Sequence, residues 1–472
     1  MKTNYQYPNE FRLPPLNVRI PAWINSVSAI TIPHDLDEER MKVMLHQFFL
    51  CYLKNEKLRK WHKERNFLDE YFPVSSELLK NTCTKRYTKY VQALEDAGVI
   101  EKKKNKNGNA SYLVGAFAQL FRWRLPATFE GTISFKIDKV YGYKQVKSVL
   151  VTRDKFFKNG KQIMLERSLN NPIYKQIDTN LNNMEFDQSF IGEYEKHTIT
   201  SDLKFLMAEA FTNKDLDWFS QDEFGLRLHH PITALPKIYR NRLRFKDHPK
   251  EQLAVLDIKN SQPFFSSVCM NKHLVSTYLP AFLPVLPYIE KYSKTGDFLL
   301  YSQLCTNGQI YEFFMEGMGL NLNNQKERDR IKELLFSSVL FSRLRVSKEK
   351  KRFKDYFKSC FPSVYSMFHT IKSLDETILP ELKEIIRPTG VKFKYPKSNF
   401  AYKLVSCLMQ RAEAAMMFQV IAPRLIETGI KFVTVHDSFI VLQDNVEHTN
   451  LVIRESFENI GLPAPTVTIN FC

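Results

Sequence analysis

The sequence lacks the features of a membrane protein or of a disulfide-stabilised secreted protein. No stretch approaches the roughly eighteen uninterrupted apolar residues that a membrane-spanning helix requires. The N-terminal segment MKTNYQYPNEFRLPP is polar, so we expect no signal peptide. The seven cysteines are scattered, and no C-x-x-C pair occurs. This pattern disfavours a zinc ribbon and a disulfide framework and predicts a protein of the reducing cytoplasm.

Acidic residues are outnumbered by basic ones. Lys plus Arg is 68 against 51 for Asp plus Glu, which gives a formal net charge of +17. This excess favours a polyanionic partner, nucleic acid before a membrane surface. With 472 residues, 44% of them hydrophobic, the chain has ample material for a core and for roughly two to four domains.

Residues 38–126 show the order helix, helix, hairpin. SSELLKNTC (75–83) opens on a serine cap, and RYTKYVQALEDAG (86–98) has apolar residues at helical spacing before a glycine stop. VIEKKKNKNGNASYLVG then indicates a strand, a basic tip and a returning strand. This order resembles a winged helix-turn-helix domain. The alternatives are a solvated hairpin and a winged helix used for protein contact.

The candidate nucleic-acid contacts of that domain are basic residues at the start of its second helix and at the hairpin tip. They are Arg86, Lys89, Lys103 and Lys104.

Two aspartates stand on strand-like segments, Asp257 in LAVLDIKNSQPFF and Asp437 in KFVTVHDSFIVL. An acid flanked by apolar residues is costly to bury unless a cation compensates it. For a single aspartate, a strand-end acid that caps a turn is an equally good interpretation. Two acids on neighbouring strands favour a pair of divalent metals, the common device of nucleotidyl transfer.

RDRIKELLFSSVLFS (328–342) places Arg328, Lys332 and Phe336 at i, i+4 and i+8. A helix of 3.6 residues per turn carries these three on one face. The alternative is an amphipathic helix whose charges only face water.

In their order along the chain, five segments resemble the palm and fingers of family A DNA polymerases and of single-subunit phage-type RNA polymerases. The resemblance covers about residues 222–472. It implies an α+β fold, a right-hand polymerase with an antiparallel palm sheet and helical fingers behind the winged helix-turn-helix domain. The five segments are FGLRLHHPITALPKIYRNRLRF, LDIKNSQP, RDRIKELLFSSVLFS, KLVSCLMQRAEAAMMFQVIAPRL and VHDSF.

The expected organisation has six parts. They are an N-terminal arm (1–37), the winged-helix domain (38–126), a connector or reduced thumb (127–221), the first part of the palm (222–261), the fingers (262–402) and the second part of the palm (403–472).

The resemblance implies catalytic and metal-binding roles. Asp257, Asp437 and the Ile258 carbonyl would hold two Mg²⁺ ions, with Mn²⁺ as a possible substitute. Lys332 and Arg328 would bind the triphosphate of the incoming nucleotide.

Other residues would bind the nucleotide or the nucleic acid. Phe336 would pack on the incoming base or sugar. Phe341 stands one residue after the position that corresponds to the tyrosine of the family's Tyr-Gly pair. Arg227, Gln410 and His436 would lie near the primer or template. Arg240, Arg242 and Arg244 alternate along the chain, so we expect them on one face of a strand toward the nucleic-acid backbone, with a solvated basic strand as the alternative.

The chain departs from the family at two positions that bear on the sugar. Gln262 stands where family A has a glutamate that excludes the ribose 2′-hydroxyl, and Ser438 follows the second aspartate as in the RNA enzymes. The choice between dNTP and NTP therefore stays open. His436, Asp437 and Ser438 are sequential, and neighbouring strand residues face opposite ways, which argues against a hydrolase triad.

These patterns predict a template-directed nucleotidyltransferase, a DNA polymerase or primase-polymerase of a plasmid, phage or mobile element. Its partners would be a DNA or RNA template-primer and nucleoside triphosphates. No segment matches a proofreading exonuclease. The alternatives are a DNA-binding replication initiator or regulator with an inactive polymerase-like domain, and a template-independent nucleotidyltransferase.

Overall fold

The computed structural model forms two compact units. The first comprises Met1–Ile163, Phe186–Trp218 and Leu235–Tyr239; the second comprises Met164–Glu185, Phe219–Ala234 and Arg240–Cys472. The structure describes residues 16–24, 36–61, 71–105, 107–113, 118–124, 134–142, 144–145, 148–149, 171–187, 189–190, 199–200, 203–212, 220–222, 224–342, 348–379, 381 and 400–472.

The first unit contains two antiparallel sheets and several helices. One sheet has the strand order Leu16–Pro21, Phe135–Val140, Ile199–Thr200; the other has the order Phe72–Ser75, Ala118–Trp123, Ile100–Lys102, with Tyr112–Leu113 also paired to Ala118–Trp123. The described helices are Glu38–Trp61, Ser76–Thr82, Tyr87–Asp96 and Leu203–Thr212.

The core of this unit is aromatic. Phe48 lies under the sheet with its ring centroid 4.9 Å from Phe121 and 6.1 Å from Phe72, and Trp123 packs 5.7 Å from Phe135. Burial of large apolar rings is the dominant stabilising term for such a small sheet.

The predicted order of helix, helix and hairpin matches the elements of the first unit. Ser75 caps the first short helix by accepting a hydrogen bond from the Leu78 amide. Tyr90, Val91 and Leu94 bury one face of the second helix. The basic hairpin closes at Asn105, whose carbonyl accepts from the Gly108 amide. The assignment as a nucleic-acid-binding winged helix stays a prediction.

The second unit is built on a four-stranded antiparallel sheet. Its strand order is Phe432–Val435, Ser438–Leu442, Leu253–Ile258, Val467–Phe471. The central strand (Leu253–Ile258) thus pairs on both sides, which is consistent with its run of buried aliphatic residues. The strand-like segment around Asp257 forms one strand, whereas the segment around Asp437 forms a hairpin of two strands and not a single one.

Two long helices of this unit matter for the site. The lysine helix (Gln325–Leu335) begins at an Asn324 side-chain cap and runs into a wide π-helical turn, Phe336–Leu340. The site helix (Leu404–Ala415) likewise runs into a π-helical turn, Met416–Ile421.

The remaining described helices and strands are short elements of the chain. The helices are Pro172–Asn182, Pro231–Ala234, Lys237–Arg240, Ser261–Val268, Lys272–Tyr278, Leu286–Ile289, Gly296–Thr306, Ile310–Gly317, Lys348–Cys360, Pro362–Ile371, Ala422–Glu427 and Val446–Glu458; the 3₁₀ turns are Pro280–Val285, Glu290–Tyr292, Glu376–Ile378, Phe400–Lys403 and Gln443–Asn445; the short strands are Met184–Phe186, Ser220–Gln221, Leu228–His229 and Leu243–Phe245. Among the described helices, none has the length and apolarity to cross a membrane.

Candidate active site

The two candidate aspartates lie side by side at one end of the second unit's sheet. Asp257 is near the end of the central strand, opposite Ser438 in the register. The Ile258 amide donates a hydrogen bond to the Asp437 carbonyl at 3.3 Å. Strand pairing therefore brings together two residues that stand far apart in the sequence. The two acids thus come together as predicted, with Asp257 in a strand and Asp437 in the turn that precedes the neighbouring strand.

The β-branched sequence indicated that His436 and Asp437 lie within a strand. In the structure they do not. They form the two-residue turn between Phe432–Val435 and Ser438–Leu442, and Val435 pairs with Ser438 across it. The Ser438 hydroxyl closes the turn by donating to the Val435 carbonyl at 2.8 Å. A two-residue hairpin needs at least one residue with positive φ, and here His436 has a φ of 56°.

Left-handed backbone conformations cluster around this site. The described residues other than glycine with positive φ are Leu226, Asn260 and His436. Leu226 precedes Arg227, Asn260 follows the central strand, and His436 precedes Asp437. Such conformations cost on the order of 1 kcal/mol or more each, and they concentrate where side chains must be held in a required direction.

A buried carboxylate, Glu413 on the site helix, connects three segments around the aspartates. Its Oε1 accepts from Nε and Nη2 of Arg227, both at 2.7 Å. Its Oε2 accepts from Ser261 Oγ and Gln262 Nε2, both at 2.6 Å. The Ser261 hydroxyl also lowers the pKa of the nearby Asp437 carboxyl. The sequence patterns did not single out Glu413; the signal that could have done so is a charged pair, Arg411 and Glu413, within an apolar helix.

The electrostatics of these acids reflect burial. Burial, and next the charge of Asp437, raises the pKa of Glu413 to about 7 against the opposing effect of Arg227. Burial also raises the pKa of Asp437, while Arg227, Ser261 and Lys332 oppose that rise. A cation close to these acids would therefore stabilise their ionised forms.

Arg227 is held from its backbone as well as its side chain. Asp222 accepts from the amides of Gly225 at 2.5 Å and of Arg227 at 3.0 Å. Although burial works against it, these bonds and the one with His229 lower the pKa of Asp222. A carboxylate that stays ionised therefore fixes this turn.

Gly225 lies directly against Gln410 of the site helix. A Cβ added at Gly225 would lie 2.4 Å from Gln410 Oε1 and 2.9 Å from its Cβ. The candidate residues Gln410 and Arg227 are thereby neighbours, as the resemblance implied. The Arg411 guanidinium, which donates to the Phe224 carbonyl at 3.0 Å, holds the same turn.

Two histidines, His229 and His436, line this end of the unit. His436 and His229 stack edge to face with centroids 5.8 Å apart, and His229 Nε2 lies 3.3 Å from Asp222 Oδ2. Burial, and next the charge of Arg227, lowers the pKa of His436 to about 4. His436 is therefore neutral near pH 7, and its buried Nδ1 has no hydrogen-bond partner among the described residues.

The lysine helix approaches the same end of the sheet. Arg328 Nη2 donates to Asn260 Oδ1 at 3.4 Å, three residues beyond Asp257, and its Nε donates to Glu312 Oε1 at 3.0 Å. Lys332 is exposed, and its charge opposes the rise in the pKa of Asp437. Arg328 thus lies beside the segment that follows Asp257, and the binding of a triphosphate by Arg328 and Lys332 stays a prediction.

Two phenylalanines stack at the end of that helix. The rings of Phe336 and Phe341 are 5.2 Å apart at 11°, and Lys332 Nζ lies 5.9 Å from the centroid of the Phe336 ring. The wide turn Phe336–Leu340 separates the two residues by five positions, and the Phe341 amide closes it by donating to the Phe336 carbonyl at 2.8 Å.

The three alternating arginines do not share a strand, which corrects the prediction. Arg240 ends a short helix, Arg242 lies in a turn, and Arg244 alone is in the strand Leu243–Phe245. The Arg244 guanidinium is turned back onto the Leu243 carbonyl at 2.6 Å. Burial lowers the pKa of Arg240, while Cys472 and Asp257 oppose that effect. A two-residue alternation over a short basic run is therefore not a reliable strand signal here.

The candidate residues of the first unit lie on its surface. Arg86 precedes the helix Tyr87–Asp96 and Lys89 lies in its first turn, and both are exposed. Lys104 is exposed at the hairpin, whereas Lys103 is half-buried with Nζ 5.2 Å from the Tyr71 ring.

The aspartate pair suits a hard divalent cation. Mg²⁺ is commonly held by one or two carboxylates together with substrate phosphates rather than by a complete protein cage. The described residues contain no group of three or more His, Cys, Asp or Glu able to hold a metal, which is compatible with that arrangement. Two carboxylates, one with a raised pKa, and the nearby Ile258 carbonyl fit Mg²⁺ or Mn²⁺ in this way.

No family model and no curated protein matches this chain. Among solved structures, it is similar to the POL domain of Pol1 from M. smegmatis in complex with DNA primer-template and dNTP. The identity is 10%, the TM-score is 0.41, and the match covers 70% of this chain and 75% of that chain. A likeness this distant carries no argument about the reaction of this chain.

Proposed function

We propose that this chain is a template-directed nucleotidyltransferase. The observation that carries the proposal is the pairing of Asp257 with the Asp437 turn beneath a helix that presents Arg328 and Lys332. Two acids that attract cations and two basic side chains that attract phosphates are the complementary halves of a site for metal-bound triphosphate.

Asp257, Asp437 and the Ile258 carbonyl are the residues that would hold the metal. When bound there, divalent ions supply activation of an attacking hydroxyl and charge compensation for the leaving phosphates. Ser261, which Glu413 holds by a hydrogen bond, supports the ionised form of the Asp437 ligand.

The lysine helix supplies the protein's own phosphate charges. Lys332 reaches the triphosphate as an exposed point charge, while Arg328 is held between Glu312 and Asn260 and offers a directed guanidinium. The stacked pair Phe336 and Phe341 forms a flat apolar surface for the incoming base.

Arg227, Gln410 and His436 form the nucleic-acid side of the site. The hydrogen bond to Glu413 fixes the direction of the Arg227 side chain, and Gln410 packs on Gly225. His436 is neutral and can donate or accept one hydrogen bond at a primer end. Gln262 lies at the place where a sugar would contact the start of the helix Ser261–Val268, with its amide nitrogen on Glu413. We propose that it accepts a sugar without excluding a hydroxyl, so the enzyme uses either dNTP or NTP.

The first unit is proposed to bind DNA or RNA through Arg86, Lys89, Lys103 and Lys104. A nucleic-acid-binding domain fused to a polymerase-like unit fits replication or primer synthesis by a plasmid, phage or mobile element. This part of the proposal rests on fold-level analogy.

The rival is a replication initiator with an inactive polymerase-like unit. It predicts nucleic-acid binding with no metal-dependent incorporation. A template-independent transferase, by contrast, predicts products whose sequence ignores the template.

The test is extension of a labelled primer on a defined template with Mg²⁺, with dNTPs and NTPs supplied separately. We compare wild type, Asp437→Ala and, as the matched control, Asp444→Ala, which changes an exposed acid just beyond the hairpin strand. Template-matched extension should survive in the control and fall by about 10³-fold or more in Asp437→Ala, because two-metal catalysis loses a ligand. Absence of incorporation by wild type on every substrate would instead support the inactive initiator.

A further inference from the structure

Lys372 is a buried lysine that the proposed chemistry does not use. It follows the helix Pro362–Ile371 and is only 4% exposed. Its ammonium group donates hydrogen bonds to the carbonyl of Val339 and, at 3.2 Å, to the carbonyl of Ser342. A long cationic side chain is rarely buried this deeply unless its charge is satisfied by specific acceptors.

Burial of this group is expensive. Burial, and next the charge of Lys354, lowers the pKa of Lys372 to about 7. A methionine or leucine of similar length would fill the same space without that cost. The two carbonyl contacts are therefore the feature that distinguishes a lysine at this position.

Both acceptors belong to the end of the lysine helix. Val339 lies in the wide turn Phe336–Leu340, and Ser342 is the second residue after that turn. The carbonyls at the end of a helix lack partners within the helix and carry partial negative charge, so an ammonium group there is favourable. The Ser342 hydroxyl also donates to the Val339 carbonyl, at 3.4 Å.

The other end of the same helix is anchored at the candidate site. Arg328 bonds to Asn260 and Glu312, as described above. The lysine helix is thus held at one end beside the aspartates and at the other end by Lys372. Between these two anchors lie Lys332 and Phe336, the groups proposed to meet the nucleotide.

We propose that Lys372 is a positioning residue that locks the C-terminal end of the lysine helix and thereby fixes the stacked pair Phe336 and Phe341. It touches neither nucleotide nor metal. Its effect on nucleotide binding rests on the proposed function, whereas its effect on the helix end does not.

The test uses the full chain with Lys372→Met, which keeps length and apolar volume but removes the donors. Lys358→Met is the matched control, since Lys358 is an exposed lysine on the adjacent helix Lys348–Cys360. Amide hydrogen exchange is measured without nucleotide or template. We expect amides of 336–342 to exchange about tenfold faster in Lys372→Met only, because the two hydrogen bonds that the Lys372 side-chain nitrogen donates are lost.

The second measurement is steady-state nucleotide incorporation. We expect the KM for nucleotide to rise about tenfold in Lys372→Met, with kcat and the Kd for primer-template within about twofold of wild type. If Lys372→Met does not give folded protein, Lys372→Leu, which likewise has no donor, replaces it under the same criteria.

Two results would overturn the proposal. One is exchange of 336–342 that is unchanged in Lys372→Met or accelerated equally throughout the second unit. The other is an unchanged nucleotide KM in an active variant. If wild type incorporates no nucleotide at all, the proposed function fails, but the exchange result still decides whether Lys372 locks the helix end.

Discussion

Glu413→Gln gives the sharpest prediction about the site. Glu413 is buried, repelled by Asp437 and attracted by Arg227, with a pKa raised from 4.5 to about 7 mainly by burial. The folded state therefore holds the proton more tightly than the unfolded chain does between these two values. Stability that is present below pH 4.5 is lost as the pH rises to about 7.

The magnitude follows from the same two values. Ionising such a carboxyl in the fold costs up to about 3 kcal/mol relative to the unfolded chain. Glutamine keeps the shape and an acceptor for Arg227, and the Gln262 amide can turn over so that its oxygen accepts from the new amide nitrogen. The variant removes this pH-dependent cost. Because the Glu413 and Asp437 carboxylates repel each other, the free energy of ionising Asp437 in the fold falls as well.

The assay is urea unfolding of wild type and Glu413→Gln at pH 5 and pH 8. Glu413→Gln should gain stability relative to wild type on going from pH 5 to pH 8, by up to about 3 kcal/mol. Glu427→Gln, at an exposed position on the following helix, should show no such pH-dependent difference. A difference between Glu413→Gln and wild type that is the same at both pH values would refute the reasoning.

The remaining predictions concern charge. Lys332→Met should raise the nucleotide KM by about tenfold or more, because a charged contact to phosphate is lost. Lys326 is exposed on the same helix, and the KM of Lys326→Met should stay within about twofold of wild type. Equal KM values for the two variants in a steady-state assay would contradict the assignment. Lys103→Gln with Lys104→Gln should reduce the slope of log Kd against log salt for duplex DNA by about 2, and Lys139→Gln, exposed elsewhere in the first unit, should not; an unchanged slope would exclude the hairpin from the interface.

The sequence predicted much of the second unit because its signals are local. Asp257 ends a run of aliphatic residues long enough to identify a central strand, and Arg328, Lys332 and Phe336 repeat at the helical period. The turn at His436 was missed, because positive φ is usually marked by glycine or asparagine and histidine gives no such mark. The β-branched residues on both sides made one continuous strand the simpler interpretation.

The role of Glu413 could not be predicted for a different reason. Its partners Arg227, Ser261 and Gln262 are 186, 152 and 151 residues away. No local pattern encodes a contact over such separations, so a polar residue in an apolar helix is visible in the sequence while its function is not. The same holds for Lys372, whose acceptors are backbone carbonyls that leave no trace in the side-chain sequence.

The wide turn Phe336–Leu340 has the geometry expected of a one-residue insertion in a regular helix. A π-helical turn is what a regular α-helix becomes when one residue is inserted and the flanking contacts are kept. Phe341 stands five positions after Phe336, one more than the i+4 spacing of a regular helix, yet its ring stacks on Phe336. The offset is therefore absorbed as a bulge. Deleting one of residues 337–340 should restore an ordinary helix and return the aromatic ring to an i+4 position.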